Sequence, residues 1–204
     1  MPDVLVPAAR VERWIANFET RHGDTALSVV DGVLGGVAAD GSRFTARLPL
    51  AAAYDGPADA AGLADAAASA APDDWGVLLV RKGGFAVARM SGDAMGESKT
   101  GQRHVQGRTK AGGQSQQRFA RRRDNQARQA YEAAADHAAR ILDGLAGPVV
   151  VGGDRTAVDE VLADRRLAGL STVEPWLALP DPRRGVLEQG VADALSLRVE
   201  VHNA

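Results

Sequence analysis

The sequence contains no cysteine and no long hydrophobic run. The absence of cysteine excludes disulfides, thiolate catalysis and Cys-ligated zinc sites. No apolar stretch approaches the length of about eighteen residues that a transmembrane helix needs. The first residues also lack the basic segment followed by an apolar one that is typical of a signal peptide. We therefore expect a protein of the cytoplasm.

Acidic residues are almost absent from one segment. Residues 99–128 carry nine Lys and Arg against a single acid, Asp124, which is a net charge of +8. The rest of the chain has 15 basic and 25 acidic residues. An acidic body with one basic segment is typical of a protein that meets a polyanion at one place. The alternative is a solvated loop whose charges only aid solubility.

The first 72 residues predict a small domain of their own. Apolar residues at helical spacing indicate a helix over residues 7–20. Three short strands follow, and Asp31-Gly32 and Asp40-Gly41 between them are hairpin signals. An Ala-rich helix is expected within residues 58–71. This part is predicted to be a helix and an antiparallel β-meander.

Residues 73–204 predict an α/β domain with a mixed sheet and flanking helices. The domain is expected to begin with a hairpin, followed by a Gly-rich loop over residues 92–114 and a long helix from about 116 to 145. Strands and helices then alternate to the end of the sequence, where the last strand is expected in the same domain.

The start of the long helix breaks a local rule. A helix N-terminus carries partial positive charge and prefers acids, yet this helix begins with Arg118, Arg121, Arg122 and Arg123. Broken local rules tend to mark functional sites, and a basic helix tip is a good phosphate site. The alternative is that exposed arginines are tolerated because the penalty is small.

Gly112, Gly113 and Gln114 stand directly before this helix. Two glycines allow the backbone N–H groups to approach a ligand closely. The Gln amide both donates and accepts hydrogen bonds, which suits it to hold a water molecule. As an isolated tripeptide the signal is weak, since an ordinary flexible turn has the same composition.

The wider motif is more specific. Gly112-Gly113-Gln114-Ser115, two free positions and then Arg118-Phe119-Ala120-Arg121 resemble the signature of archaeal and eukaryotic class I translation termination factors. The resemblance extends in order over roughly residues 75–201, the region that matches their middle domain. No segment resembles their codon-reading or GTPase-binding domains. The chain is therefore most similar to the Vms-like release factors, and within them to the short actinobacterial peptidyl-tRNA hydrolases.

The resemblance implies a function and a site. Gln114 would be the catalytic residue, Gly112 and Gly113 would shape its loop, and the partners would be peptidyl-tRNA and large-subunit ribosomal RNA. No membrane or DNA partner is expected. The residues expected to bind RNA phosphates are Arg108, Lys110, Arg118, Arg121, Arg122 and Arg123. Two alternatives stay open, a nuclease that cuts the tRNA acceptor end and a non-catalytic ribosome-binding module.

Other readings of the sequence are weaker. His104 lies in the Gly-rich loop and could act as a general base, although a solvated histidine is the simpler interpretation. The four histidines show no metal-binding spacing, and neither a metal nor a cofactor is expected. Gly152-Gly153 lacks the pattern of a nucleotide-binding loop, so a strand-to-helix turn is predicted.

Overall fold

The computed structural model describes residues 4–102 and 114–204, with the side chains of residues 114–126 outside that description. The strands and helices before residue 73 are β1 (Val4–Val6), α1 (Val11–His22), β2 (Thr25–Val30), β3 (Val33–Ala38), β4 (Arg43–Arg47) and α2 (Ala60–Ala68). Those after it are β5 (Trp75–Arg81), β6 (Gly84–Ser91), β7 (Ala94–Gln102), α3 (Gln114–Ile141), β8 (Val149–Gly153), α4 (Arg155–Leu162), β9 (Thr172–Leu177), α5 (Arg184–Ala194) and β10 (Leu197–His202).

The chain forms two compact units. The first unit contains Met1–Pro72, Val173–Pro175 and Val191–Ala204, and the second contains Asp73–Thr172 and Trp176–Gly190. Each unit has its own five-stranded sheet and its own hydrophobic core. Together they make an α/β protein, as the sequence predicted.

The first unit is an antiparallel sheet with the strand order β1-β10-β4-β3-β2. One face packs against α1 through Val11, Ile15 and Phe18, whose spacing of four and three residues makes one apolar stripe. The two predicted hairpins are confirmed. Asp31-Gly32 turns with φ of 50° and 76°, the left-handed conformations that a two-residue turn requires.

The last strand differs from its expected place. β10 lies between β1 and β4, so it belongs to the sheet of the first unit rather than to the α/β domain predicted from residue 73 onward. Its burial alternates at first, with Leu197 and Val199 buried and Arg198 more exposed. Alternation suits an antiparallel sheet with one covered face, whereas a strand covered on both faces is apolar throughout.

The second unit is a mixed sheet with the strand order β7-β6-β5-β8-β9. β5 is antiparallel to β6 and parallel to β8. Six of its seven residues are buried, as is typical of a strand covered on both faces. Gly152 and Gly153 end β8 beside α4. A Cβ on either glycine would lie 2.3–2.4 Å from neighbouring atoms of Leu177 or Val80, so close packing explains the pair.

The predicted loop over residues 92–114 is wrong for its first part, because residues 94–102 form β7. β7 is the edge strand of this sheet and pairs only with β6 among the described strands. Edge strands commonly carry charged residues such as Lys99 that discourage further pairing. The strand therefore lacks the apolar alternation by which strands are recognised in a sequence.

The long helix is confirmed with shifted ends. α3 begins at Gln114 and ends at Ile141, a length of about 42 Å at 1.5 Å per residue. Its first residue is therefore the glutamine of the motif, which was expected just before the helix. Among the described helices, we find none with the length and apolar character to cross a membrane.

A larger side chain at the centre of the α3 contact should destabilise the second unit. Ala138 is fully buried against the sheet, so Ala138→Leu is expected to lower the free energy of unfolding by about 1–3 kcal/mol through overpacking. Urea denaturation followed by far-UV circular dichroism measures the change. An unchanged unfolding midpoint would show that the contact has room to spare.

Candidate functional site

Only part of the motif lies within the residues that the structure describes. Gln114 is the first residue of α3, and positions 118, 121, 122 and 123 follow within the helix. The positions predicted to complete the site, Gly112, Gly113, Lys110 and Arg108, lie outside the described residues, as does His104. What the structure describes of the site is therefore the set of contacts that hold α3 in place.

A stripe of small residues seats α3 on the sheet. Ala130, Ala134, Ala135, Ala138 and Ile141 are buried and recur at spacings of one, three and four residues, which places them on one side of the helix. All of them except Ala130 belong to one core cluster with Leu78 and Val80 of β5 and Phe85 and Val87 of β6. Alanine side chains let the helix axis approach the sheet closely and leave little rotamer freedom to lose on burial. The stripe fixes the direction in which the start of the helix points.

The end of α3 is fastened by a charged pair. Arg89 of β6 donates from Nε and Nη2 to the two carboxylate oxygens of Asp74, at 2.7 and 2.9 Å. Its Nη1 donates to the carbonyl oxygen of Asp143, just past the helix, at 2.7 Å. The N–H of Ala146 donates to Asp74 at 3.0 Å. The Arg89 hydrogen bonds, followed by that of Ala146, lower the pKa of Asp74.

Two further ion pairs hold the flanks of α3. Arg140 pairs with Glu97 of β7, and Asp136 accepts from Arg166 at 2.8 Å. Arg166 also donates to Asp164, and this bond lowers the pKa of Asp164 to about 2. All these side chains except that of Asp164 are at least half exposed, so each pair adds little stability.

A small cavity lies beside the point where β7 ends and the described stripe of α3 begins. Its volume is about 170 Å³, and Gly101, Ala130 and Ala133 leave the space that larger side chains would fill. The ring of His137 stacks on Phe85 with centroids 5.4 Å apart. Lys99 and Gln102 supply polar groups at its lining. Gln102 at this cavity is the last described residue before residues 103–113, which carry the two glycines of the motif.

Sequence reasoning missed this cavity. Lys99 was counted only as a charge of the basic segment, and His137 was considered only as a metal ligand. The one residue that could have indicated the cavity is Gly101 of β7, which pairs with Phe85 of β6. A Cβ there would lie 2.3 Å from the Phe85 ring. Within the described ranges, no group of three or more His, Asp or Glu side chains is arranged to hold a metal ion.

The comparison with family models decides the family. Residues 73–200 match the model described as Actinobacteria/chloroflexi VLRF1 release factor. The match covers more than half of the chain and includes the whole motif and α3. The chain belongs to this family. No curated protein matches it.

Membership in the VLRF1 release-factor family indicates a ribosome-associated release function. It agrees with the resemblance drawn from the motif, since both point to the same group of release factors. The match begins at residue 73, so residues 1–72, with most of the first sheet, lie outside it.

Removing the Asp74 charge should loosen the end of α3. The lowered pKa means that this carboxylate stabilises the fold above its ordinary pKa of 3.8, and that the stabilisation is lost as the pH falls below 3.8 toward the folded-state value. Asp74→Asn is therefore expected to lower the melting temperature at pH 7, with a difference from wild type that shrinks below pH 3.8.

Thermal melts from pH 7 to pH 2.5 measure this difference. Asp73→Asn is the matched control, because Asp73 is the exposed neighbour and loses the same charge. If the two variants melt alike at every pH, Asp74 does not fasten the helix.

Proposed function

We propose that this protein is a peptidyl-tRNA hydrolase that releases nascent chains from stalled ribosomes or large subunits without a stop codon. The observation that carries the proposal is the sequence Gly112-Gly113-Gln114-Ser115 leading into α3 in a chain of the VLRF1 family. Independence from a stop codon rests on the likeness to the Vms-like factors. Work on ribosomes would place the protein in the cytoplasm.

The proposed reaction is hydrolysis of the ester between the peptide and the tRNA 3′ end. Water attacks the ester carbonyl carbon, the bond to the ribose oxygen breaks, and that oxygen takes up a proton. The ester is already activated, so holding water in place and stabilising the oxyanion suffice. Gln114 would orient the water through its side-chain amide and stabilise the oxyanion through its backbone N–H. One such donor is worth about 10²–10³ in rate.

The support of α3 favours this role. Catalytic groups act best on rigid elements, where the productive geometry is held within about 0.5 Å. Gln114 starts a helix whose second half packs on the sheet through the buried side chains of Ala134, Ala138 and Ile141. We infer that the packing of α3 on the sheet holds Gln114 in a fixed position relative to the sheet. We also infer that Gly112 and Gly113 let the backbone approach the ester.

The arginines would hold RNA phosphates. Residues three and four apart are neighbours on a helix, so positions 114, 118 and 121 share one side of α3, and position 122 lies beside them. A helix N-terminus adds partial positive charge at the same place. Lys110, Arg108 and Arg123 would extend the grip. Phosphate contacts position a protein on RNA without reading its sequence.

Replacing Gln114 should remove release and leave binding intact. In single-turnover reactions with labelled peptidyl-tRNA on large subunits, Gln114→Ala is expected to lose about 10²-fold or more in rate. Gln117→Ala is the matched control, since it removes the same amide three positions away and is expected to release at the wild-type rate.

The tRNA 3′ end, examined on a gel, separates the alternatives. Intact tRNA together with freed peptide supports ester hydrolysis, and shortened tRNA would identify a nuclease. Wild-type binding without release of any kind would identify a docking module.

The phosphate contacts predict a salt dependence. Each phosphate contact adds about 0.7–0.9 to the slope of log K against log salt, so Arg121→Gln is expected to reduce the slope by about 1. Binding of labelled tRNA at several salt concentrations measures it. Arg13→Gln, an exposed change on α1, should leave the slope unchanged, and equal slopes for both variants would contradict the assignment.

A further inference from the structure

The first sheet ends in an edge strand that carries no protection of its own. Among the described strands, β2 pairs with β3 alone. The six residues of β2 include no charged residue and no proline, and their register with β3 is regular throughout. Edge strands commonly carry charges, prolines or bulges, because their unpaired N–H and C=O groups can accept a strand from another chain. β2 has none of these features.

The hairpin geometry shows which backbone groups of β2 face the free edge. The two-residue turn makes Val30 and Val33 a hydrogen-bonded pair, and such pairs alternate with non-bonded pairs along an antiparallel ladder. The alternate residues of β2 therefore direct their N–H and C=O groups away from β3, namely Thr25, Leu27 and Val29. No hydrogen bond from another described backbone group reaches them. They form a ladder ready for one further strand.

Two exposed valines lie on one face of the sheet beside this edge. Val30 is 63% exposed and Val37 of β3 is 56% exposed. Val37 pairs with Ala26 of β2, and Ala26 and Val30 share a face because side chains alternate along a strand. Apolar side chains of an added strand would cover Val30 on this face, while its backbone pairs with β2.

The charges at the two ends of β2 are acidic. Asp24 directly precedes the strand and Asp31 directly follows it, and both are exposed. No cation of the described residues lies within ion-pair distance of either carboxylate. The exposed arginines of the same sheet, Arg43 and Arg47, are on β4, with β3 between them and β2. The first unit as a whole has twelve acids and six arginines, a net charge of −6. The edge therefore favours a positively charged partner.

The same acids disfavour a second copy of this chain as the partner. Antiparallel pairing of β2 with its own copy would bring Asp31 of one protomer beside Asp24 of the other. Parallel pairing would bring each of these residues beside its own equivalent. Like charges on neighbouring strands are destabilising, so the free edge suits a different chain with basic residues.

We propose that β2 accepts an extended basic peptide as a sixth strand of the first sheet. An uncharged stretch of the peptide pairs with β2, and Lys or Arg at its two ends lie beside Asp24 and Asp31. Backbone hydrogen bonds supply affinity in such strand addition, and complementary charges fix the register. The proposal does not depend on the release function, because β2 lies outside both the motif and the region matched by the family model.

Fluorescence anisotropy with two labelled peptides tests the charge requirement on the full-length protein. The first peptide has three valines that alternate with two threonines, with two lysines at each end, and the second has glutamates in place of the lysines. The basic peptide is expected to bind at least about tenfold more tightly, as a few favourable rather than unfavourable ion pairs require. Equal affinities would overturn the proposal, as would a dissociation constant above about 1 mM for the basic peptide.

Neutral variants test the two acids. The double variant Asp24→Asn with Asp31→Asn is expected to weaken binding of the basic peptide about fivefold. Asn tolerates the left-handed conformation of position 31, so the turn is kept. Glu12→Gln with Asp65→Asn is the matched control, because it removes two exposed acids from helices of the same unit. Equal losses in the two double variants would contradict a site at β2.

A change of sign at one position tests the strand itself. Ser28 is exposed at the centre of β2. Ser28→Lys is expected to weaken binding of the basic peptide, and Ser28→Glu is expected to strengthen it. Effects of the same sign would show that the peptide binds elsewhere. Sedimentation of the wild-type protein should show a monomer, and a dimer lost in both variants would overturn the proposal by assigning the edge to a second copy.

Amide hydrogen exchange followed by NMR distinguishes strand addition from simple charge attraction. With saturating basic peptide, the amides of Thr25, Leu27 and Val29 should exchange more slowly, because they gain a hydrogen-bond partner. The amides of Ala26 and Ser28 bond to β3 in the free protein and should change little. Peptide binding without this alternating protection would overturn the proposal.

Discussion

The close contact between α3 and its sheet is the constraint on which the rest of the second unit depends. The described contact holds the second half of a helix of about 42 Å, so a small rotation there would displace the first residue by several ångströms. The contact is therefore made from small side chains such as Ala134 and Ala138, which allow little adjustment. The hydrogen bonds of Arg89 and Asp74 then fix where the helix ends.

The packing of α3 on its sheet also explains why the helix tolerates arginines near its N-terminus. Arginines near the N-terminus oppose the helix dipole, at a cost of a few tenths of a kcal/mol each. In proteins most helix stability comes from packing of the buried face rather than from intrinsic preference. Because residues 130–141 supply that packing, residues 114–129 are free to carry charges that oppose the dipole. The unfavourable charge order is a consequence of that freedom.

The elements that could be predicted are those whose signals lie in residues close together in the sequence. The prediction failed where contacts with other parts of the chain determine the structure. The hairpin at Asp31-Gly32 and the stripe of α3 follow from turn chemistry and helical spacing, and both are confirmed. β7 was missed because an edge strand carries Lys99 and Gly101 where an inner strand would be apolar. β1, only three residues long, carries too short a pattern to detect.

The candidate site divides in the same way. Gln114 and the arginines near it could be predicted as candidate site residues because they form a contiguous motif in the sequence. Outside that site, Arg47 and Arg198 lie opposite each other in the first sheet, which the sequence could not show, since the register of β4 and β10 brings together residues that are far apart in the sequence. Gly101 gave a partial signal, but only its partner Phe85 shows why no side chain fits there.

The position of β10 has a consequence for synthesis of the chain. β10 pairs with β1 on one side and β4 on the other, so the first sheet lacks an inner strand until residues 197–202 have left the ribosome. Its N-terminal strands must wait while the whole second unit is made, and contacts so distant in sequence form slowly. The second unit needs only residues up to 190. We therefore expect the unit that holds the motif to fold first during translation, and the unit that begins the chain to fold last.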